Sequence, residues 1–104
     1  MKINGKEIGF EYTIGAFCDF SDYCASNPEV SMARAQMYKA LFMNRAYTET
    51  HEGAEAVTID EIMHLSQGDY AALMDAIKKA EDAGKKRTVE TVDTKKNENR
   101  STSI

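Results

Sequence analysis

The chain has no tryptophan, one proline and two cysteines in 104 residues. Two cysteines cannot build a disulfide framework. Cys18 and Cys24 are six positions apart on one predicted helix, about 9 Å of helical rise and too far for a bridge. The expected environment is therefore a reducing cytosol. Asp19 and Asp22 flank the two thiols, where an activated thiolate needs a base or a cation, so both are expected to be buried structural cysteines. No apolar run approaches the roughly 18 residues of a membrane-spanning helix, and no secretory signal pattern occurs. His51 and His64, the only histidines, lack the spacing of metal ligands and read as surface residues. There is no glycine-rich phosphate loop and no Ser/His/Asp arrangement. These absences point away from an enzyme: no catalytic residue, cofactor or metal is expected.

Charge is present but uneven. Residues 1–84 hold 7 Lys/Arg and 14 Asp/Glu, a net of −7, while residues 85–104 hold 6 bases and 3 acids, a net of +3. An acidic body repels phosphate backbones, which argues against nucleic-acid binding. A mixed-charge tail is ordinarily solvated. The length fits one domain at most, expected over residues 1–84. Residues 85–104, with Val89, Val92 and Ile104 as their only apolar side chains, read as a flexible polar tail.

The pattern predicts a mainly α, α+β fold. An N-terminal β-hairpin over about residues 1–12 packs on a bundle of about four helices, at 14–26, 30–47, 59–66 and 69–83. Asn4-Gly5 suits a type I′ turn. Ile8, Phe10 and Tyr12 alternate with Glu7, Gly9 and Glu11, the period of a half-buried strand. Thr13 is the expected N-cap of helix one. In that helix Ile14, Phe17, Phe20 and Cys24 recur at helical spacing, and the hairpin is expected to pack on it. Asn27-Pro28 stops helix one, and either Asn27 or Ser31 caps helix two. Thr58 and Glu61 form a capping box for helix three, with Val57 and Ile62 as a hydrophobic staple. Ser66 begins helix four, whose stripe is Tyr70, Leu73, Met74, Ile77 and Ala80, and Gly84 fits its C′ position.

Helix two is apolar on two sides. Ala33, Met37, Ala40 and Leu41 lie on one face and Ala35, Tyr38, Phe42 and Ala46 on the other. Such a helix is central in its own domain or shared with another molecule. Tyr38, Phe42 and Met43 are the candidate interaction residues. The methionines at 32, 37, 43, 63 and 74 either fill gaps in the core or offer an adaptable binding surface. The surplus of apolar helix points to self-association, client binding, or both.

The opening Ile-Asn-Gly-Lys-Glu, the segment Phe10-Glu11-Tyr12, and Thr13-Ile14-Gly15-Ala16-Phe17 starting a helix resemble the tail assembly chaperones of long-tailed phages. The Thr58-Ile59-Asp60-Glu61 helix start, the last amphipathic helix and the polar C-terminal segment fit the same pattern, and the likeness covers about residues 1–83. It implies a non-enzymatic chaperone. Such a protein binds the tape-measure protein, helps recruit tail-tube subunits in the bacterial host cytoplasm, and is absent from the mature virion. It also implies that a longer product arises by ribosomal frameshifting, for which Lys85-Lys86 and Lys95-Lys96-Asn97 are places where A-rich codons would lie. The alternative is a small regulatory adaptor or DNA-binding repressor. A recognition helix needs basic and amide side chains on one exposed face, and helix four offers only Lys78 and Lys79, at its far end. An enzyme subunit with a composite site at an oligomer interface is a third class, with no residue pattern to support it.

Overall fold

A computed structural model describes the backbone of residues 1–92 and the side chains of residues 1–85. Two short strands, β1 (Lys2–Ile3) and β2 (Lys6–Glu7), precede four helices, α1 (Ile14–Ser26), α2 (Met32–Thr50), α3 (Ile59–Met63) and α4 (Gln67–Val92). The strands pair antiparallel, with Lys2 opposite Glu7 and Ile3 opposite Lys6. Asn4 and Gly5 turn the chain with φ of 55° and 79°, the left-handed pair that a type I′ turn demands. This register drives Ile3 and Ile8 into the core, at 2% and 1% exposure.

The expected strand over residues 8–12 is corrected. Ile8 still exchanges two backbone hydrogen bonds with Met1, at 2.7 and 2.9 Å, but residues 9–13 belong to no strand and cross α2 as irregular chain. The Glu11 amide donates to the Met43 carbonyl at 3.0 Å, and the Gly9 carbonyl accepts from Asn44 Nδ2 at 2.9 Å. Beyond Ile8, the alternation through Phe10 and Tyr12 records a ribbon with one face on a helix, not a ladder. The hairpin itself is fastened to α3 rather than to its sequence neighbour α1, because Asn4 and Lys6 both bond to Glu61.

Each helix starts at a polar side chain that satisfies a free amide. Thr13 Oγ1 accepts from the Ala16 amide at 3.1 Å. Ser31 rather than Asn27 caps α2, its Oγ accepting from the Arg34 amide at 3.1 Å. Asn27 instead closes α1, donating from Nδ2 to the Tyr23 carbonyl at 2.9 Å. Thr58 and Glu61 complete the capping box of α3, and Val57 and Ile62 of the staple are both buried. Ser66 Oγ accepts from the Asp69 amide at 3.1 Å. That duty ends α3 at Met63, short of the expected boundary at 66. At its other end α2 runs three residues beyond Tyr47, where Thr48 donates to the Arg45 carbonyl at 2.8 Å and His51 Nδ1 lies 3.0 Å from the Tyr47 carbonyl.

Helix α2 is the axis of the fold, touched by α1, α3 and α4. Ala40, Met43 and Ala46 join Ile3, Ile8, Val57, Ile62, Leu73 and Ile77 in the core. Among the described residues one polar side chain is buried with them: Asn44, at 1% exposure. Its Nδ2 donates to the carbonyls of Gly9 (2.9 Å) and Glu55 (3.4 Å), and its Oδ1 accepts from the Val57 amide at 2.9 Å. One amide therefore serves backbone groups of two irregular segments. A half-buried Lys39 links the opposite end: Nζ lies 3.0 Å from Glu81 Oε1 of α4 and 5.7 Å from the ring centres of both Tyr12 and Phe20. This ties α4 to the entry segment and α1 through one ammonium.

Gly84 does not end α4, which continues through it to Val92. The residue is buried inside the helix, and an added Cβ would fall 2.7 Å from the Tyr12 carbonyl oxygen. The glycine admits the crossing segment against the helix. The expected flexible tail lies outside the described residues from position 93 onward, and the backbone of 85–92 belongs to α4. Helix propensity alone makes Gly84→Ala stabilising by about 1 kcal/mol. The close approach reverses the sign: urea unfolding of G84A is expected to show a loss of about 1–3 kcal/mol, and a raised midpoint would contradict this packing.

Candidate protein-interaction surface

The second face of α2 is not open. Tyr38 stacks on Tyr23 of α1 with ring centres 4.2 Å apart, and Phe42 meets the same ring edge-on at 6.2 Å. The Arg45 guanidinium lies 5.4 Å from the Phe42 ring centre. Tyr38 and Phe42 are half-buried by this cluster. Met43, the third candidate, is 1% exposed in the core. As a surface residue it is corrected: it belongs to the buried core cluster that includes Ala40 and Ile77.

The exposed apolar surface lies on α1 instead. Eight of its 13 residues are apolar, aromatic or cysteine, and Ala16 alone is fully buried. At about 100° per residue, Ala16, Phe20 and Tyr23 share the side that meets α2. Ile14, Phe17, Cys18, Ser21 and Ala25 share the other and are all exposed. Ile14 is 78% and Phe17 48% exposed. The expected packing stripe of Ile14, Phe17, Phe20 and Cys24 is thus rotated. A small Ala16 lets α1 approach α2 closely, and the Tyr23–Tyr38 stack fixes which side turns inward. The expectation of buried cysteines fails for Cys18, which is exposed, while Cys24 is half-buried.

Two further methionines are exposed, Met32 and Met63. Arg34 Nη1 approaches Met63 Sδ at 3.8 Å. The other end of α1 borders a shallow cleft of about 460 Å³, lined by Tyr23, Asn27, Pro28, Glu29, Val30 and Arg34. The histidines lie apart from this surface. His51 stacks on Tyr47 with ring centres 3.8 Å apart, and the Tyr47 ring lies against Gly9. The exposed His64 has Nδ1 2.8 Å from the Asp60 carbonyl. Among the described residues no group of three or more His, Cys, Asp or Glu side chains is placed to hold a metal, and no helix is long and apolar enough to cross a membrane.

Electrostatic perturbation gathers at joints of the fold, away from the α1 face. Burial pushes the Tyr12 hydroxyl up, reinforced by Glu81, and burial next to Tyr38 does the same to Tyr23. The N-terminal amine, 2.9 Å from Glu7 Oε2, lowers the Glu7 carboxyl. Glu61 is shifted furthest. Hydrogen bonds from Lys6 Nζ (2.9 Å), Asn4 Nδ2 (3.0 Å) and the Thr58 amide (3.0 Å) hold its carboxyl down at about 2. This is a clamp between hairpin and α3, with the pattern of a structural carboxylate rather than a catalytic one.

Comparison with protein-family models, with curated proteins and with solved structures finds no match to this chain.

The Glu61 shift sets an acid limb of stability. Its carboxyl is lowered from about 4.5 to about 2 on folding, so its stabilisation is complete above about 4.5 and lost as the pH falls toward 2. Glu61→Gln is expected to lower the urea midpoint clearly at pH 6 and progressively less toward pH 2. Wild-type and variant curves that stay parallel across that window would show that the clamp does not form.

Proposed function

We propose that this protein is a non-enzymatic assembly chaperone of the phage tail type. It would hold helices of a tape-measure protein soluble in the host cytoplasm and help recruit tail-tube subunits, without remaining in the virion. The observation that carries the reading is the open face of α1. The helix leaves Ile14 78% and Phe17 48% exposed, with the Phe17 ring edge-on to Tyr12, although the core of the fold is already filled by Met43, Leu73 and Ile77 at 3% exposure or less. Folding of the described residues leaves most of that face open, and burying large apolar side chains there stabilises an association by roughly 1.5–3 kcal/mol each. The order of elements supports the same reading: an Asn-Gly hairpin, the Thr13-Ile14-Gly15-Ala16 helix entry and a capped Thr58-Ile59-Asp60-Glu61 turn. The acidic body favours a protein client over a nucleic-acid one.

Co-expression with the tape-measure protein of the same tail gene cluster is expected to shift that protein from the insoluble to the soluble fraction and to co-purify the two chains. A tape-measure protein equally insoluble with and without this chain would overturn the proposal.

A further inference from the structure

The outer face of α1 has a chemistry that selects its occupant. Ile14, Phe17, Cys18, Ser21 and Ala25 form an exposed stripe about 100° wide, the width that an amphipathic helix presents to a partner. Small Ser21 and Ala25 lie along its C-terminal half and permit close approach of a second helix. Asp19 and Asp22, both exposed, line one edge, and α1 contains no lysine or arginine. No basic residue offsets the negative end of the helix dipole either. Every formal charge on this helix is therefore negative, on a body whose residues 1–84 carry a net −7.

We propose that this face docks an amphipathic helix of another protein, one with an apolar stripe flanked by lysine or arginine. The inference rests on the client-binding reading above and names the client's chemistry and its seat. A second copy of this chain is the poorer occupant, since self-docking opposes two faces bearing only acids. The chain's own residues 86–104, beyond the described side chains, hold Val89, Val92 and Ile104 as their only apolar residues, with no amphipathic period to match the stripe. Apolar contact supplies the affinity, and the acidic edge supplies preference and a salt-dependent on-rate.

The test uses the full chain and two labelled synthetic 18-residue helical peptides with identical leucine stripes, one flanked by lysines and one by glutamates. Fluorescence anisotropy is expected to show the lysine peptide binding about tenfold or more tightly than the glutamate peptide, with the difference shrinking as salt rises. Ile14→Gln is expected to weaken the lysine peptide by about tenfold or more. Met32→Gln is the matched control, because Met32 is an exposed first residue of α2 as Ile14 is of α1. It should leave binding unchanged, and thermal melting of both variants should match wild type. Saturating lysine peptide should also slow alkylation of Cys18 by iodoacetamide, read by mass spectrometry.

Equal affinity for the two peptides, equal effects of the two variants, or unprotected Cys18 in the bound state would each overturn the proposal. So would a dimer in sedimentation that Ile14→Gln dissolves, which would assign the face to a second copy. Failure of this docking is distinguishable from failure of the chaperone reading. A tape-measure protein solubilised equally by wild type and Ile14→Gln sinks the α1 seat alone. Tight, Cys18-protecting binding of the lysine peptide with no effect on the tape-measure protein sinks the chaperone reading alone.

Discussion

One buried amide holds the irregular half of this molecule onto its regular half. Asn44 lies in the middle of α2 and reaches the Gly9 carbonyl, the Glu55 carbonyl and the Val57 amide. A dry, unpartnered backbone group costs about 1–3 kcal/mol, so the contact works in both directions. It satisfies chain that has no ladder or helix of its own, and that chain satisfies an amide that would otherwise be buried without partners. From this clasp the rest follows spatially. Val57 is set at the N′ position of α3, so the staple to Ile62 and the Thr58–Glu61 capping box form together. Glu61 then faces the hairpin and receives Asn4 and Lys6.

The other end of the molecule depends on close approach rather than on an amide. Gly84 lets α4 lie against the Tyr12 carbonyl. Lys39 then reaches Glu81 while covering the rings of Tyr12 and Phe20. These contacts hold α1 by its ends and inner side, through Tyr12 before it and Phe20 and Tyr23 within it. On the outer side Tyr12 meets the Phe17 ring edge-on at 6.4 Å, while Ile14, Cys18, Ser21 and Ala25 stay exposed. The functional proposal grows from that imbalance. A helix held along one side and open on most of the other is a preorganised platform, and preorganisation lowers the ordering cost of binding.

Local chemistry was readable wherever one short motif determines one geometry. Asn4-Gly5, Thr13, Thr58 with Glu61, and Ser66 each satisfy groups within four residues of themselves, and all were identifiable from spacing. The local sequence is ambiguous where one residue type has two uses that only tertiary contact separates. Gly84 at the end of an apolar stripe reads as a helix stop, but it serves as a close-packing site in mid-helix. The alternation of Ile8, Phe10 and Tyr12 reads as a strand, but one-sided packing on α2 leaves the same imprint. The two apolar faces of α2 were evident, yet sequence does not say which neighbour covers the second, and α1 does so through Tyr23. Tyr38 and Phe42 are therefore half-buried and Met43 is in the core, while Ile14, Phe17 and Cys18 are exposed on α1. Asn44 carried no local signal beyond being polar on the Ala33–Met37–Ala40 side of the wheel, where an apolar residue belongs.

The most direct test of this account is native-state hydrogen exchange at the Val57 amide, which Asn44 Oδ1 accepts at 2.9 Å. Val57 precedes α3 and has no helical hydrogen bond of its own. If the clasp organises the fold, its amide exchanges only through global unfolding, with the same free energy as core amides of α2 such as Met43. Exchange at the rate of an open loop, while the α2 amides stay protected, would show that the helices stand without the clasp and would contradict the account.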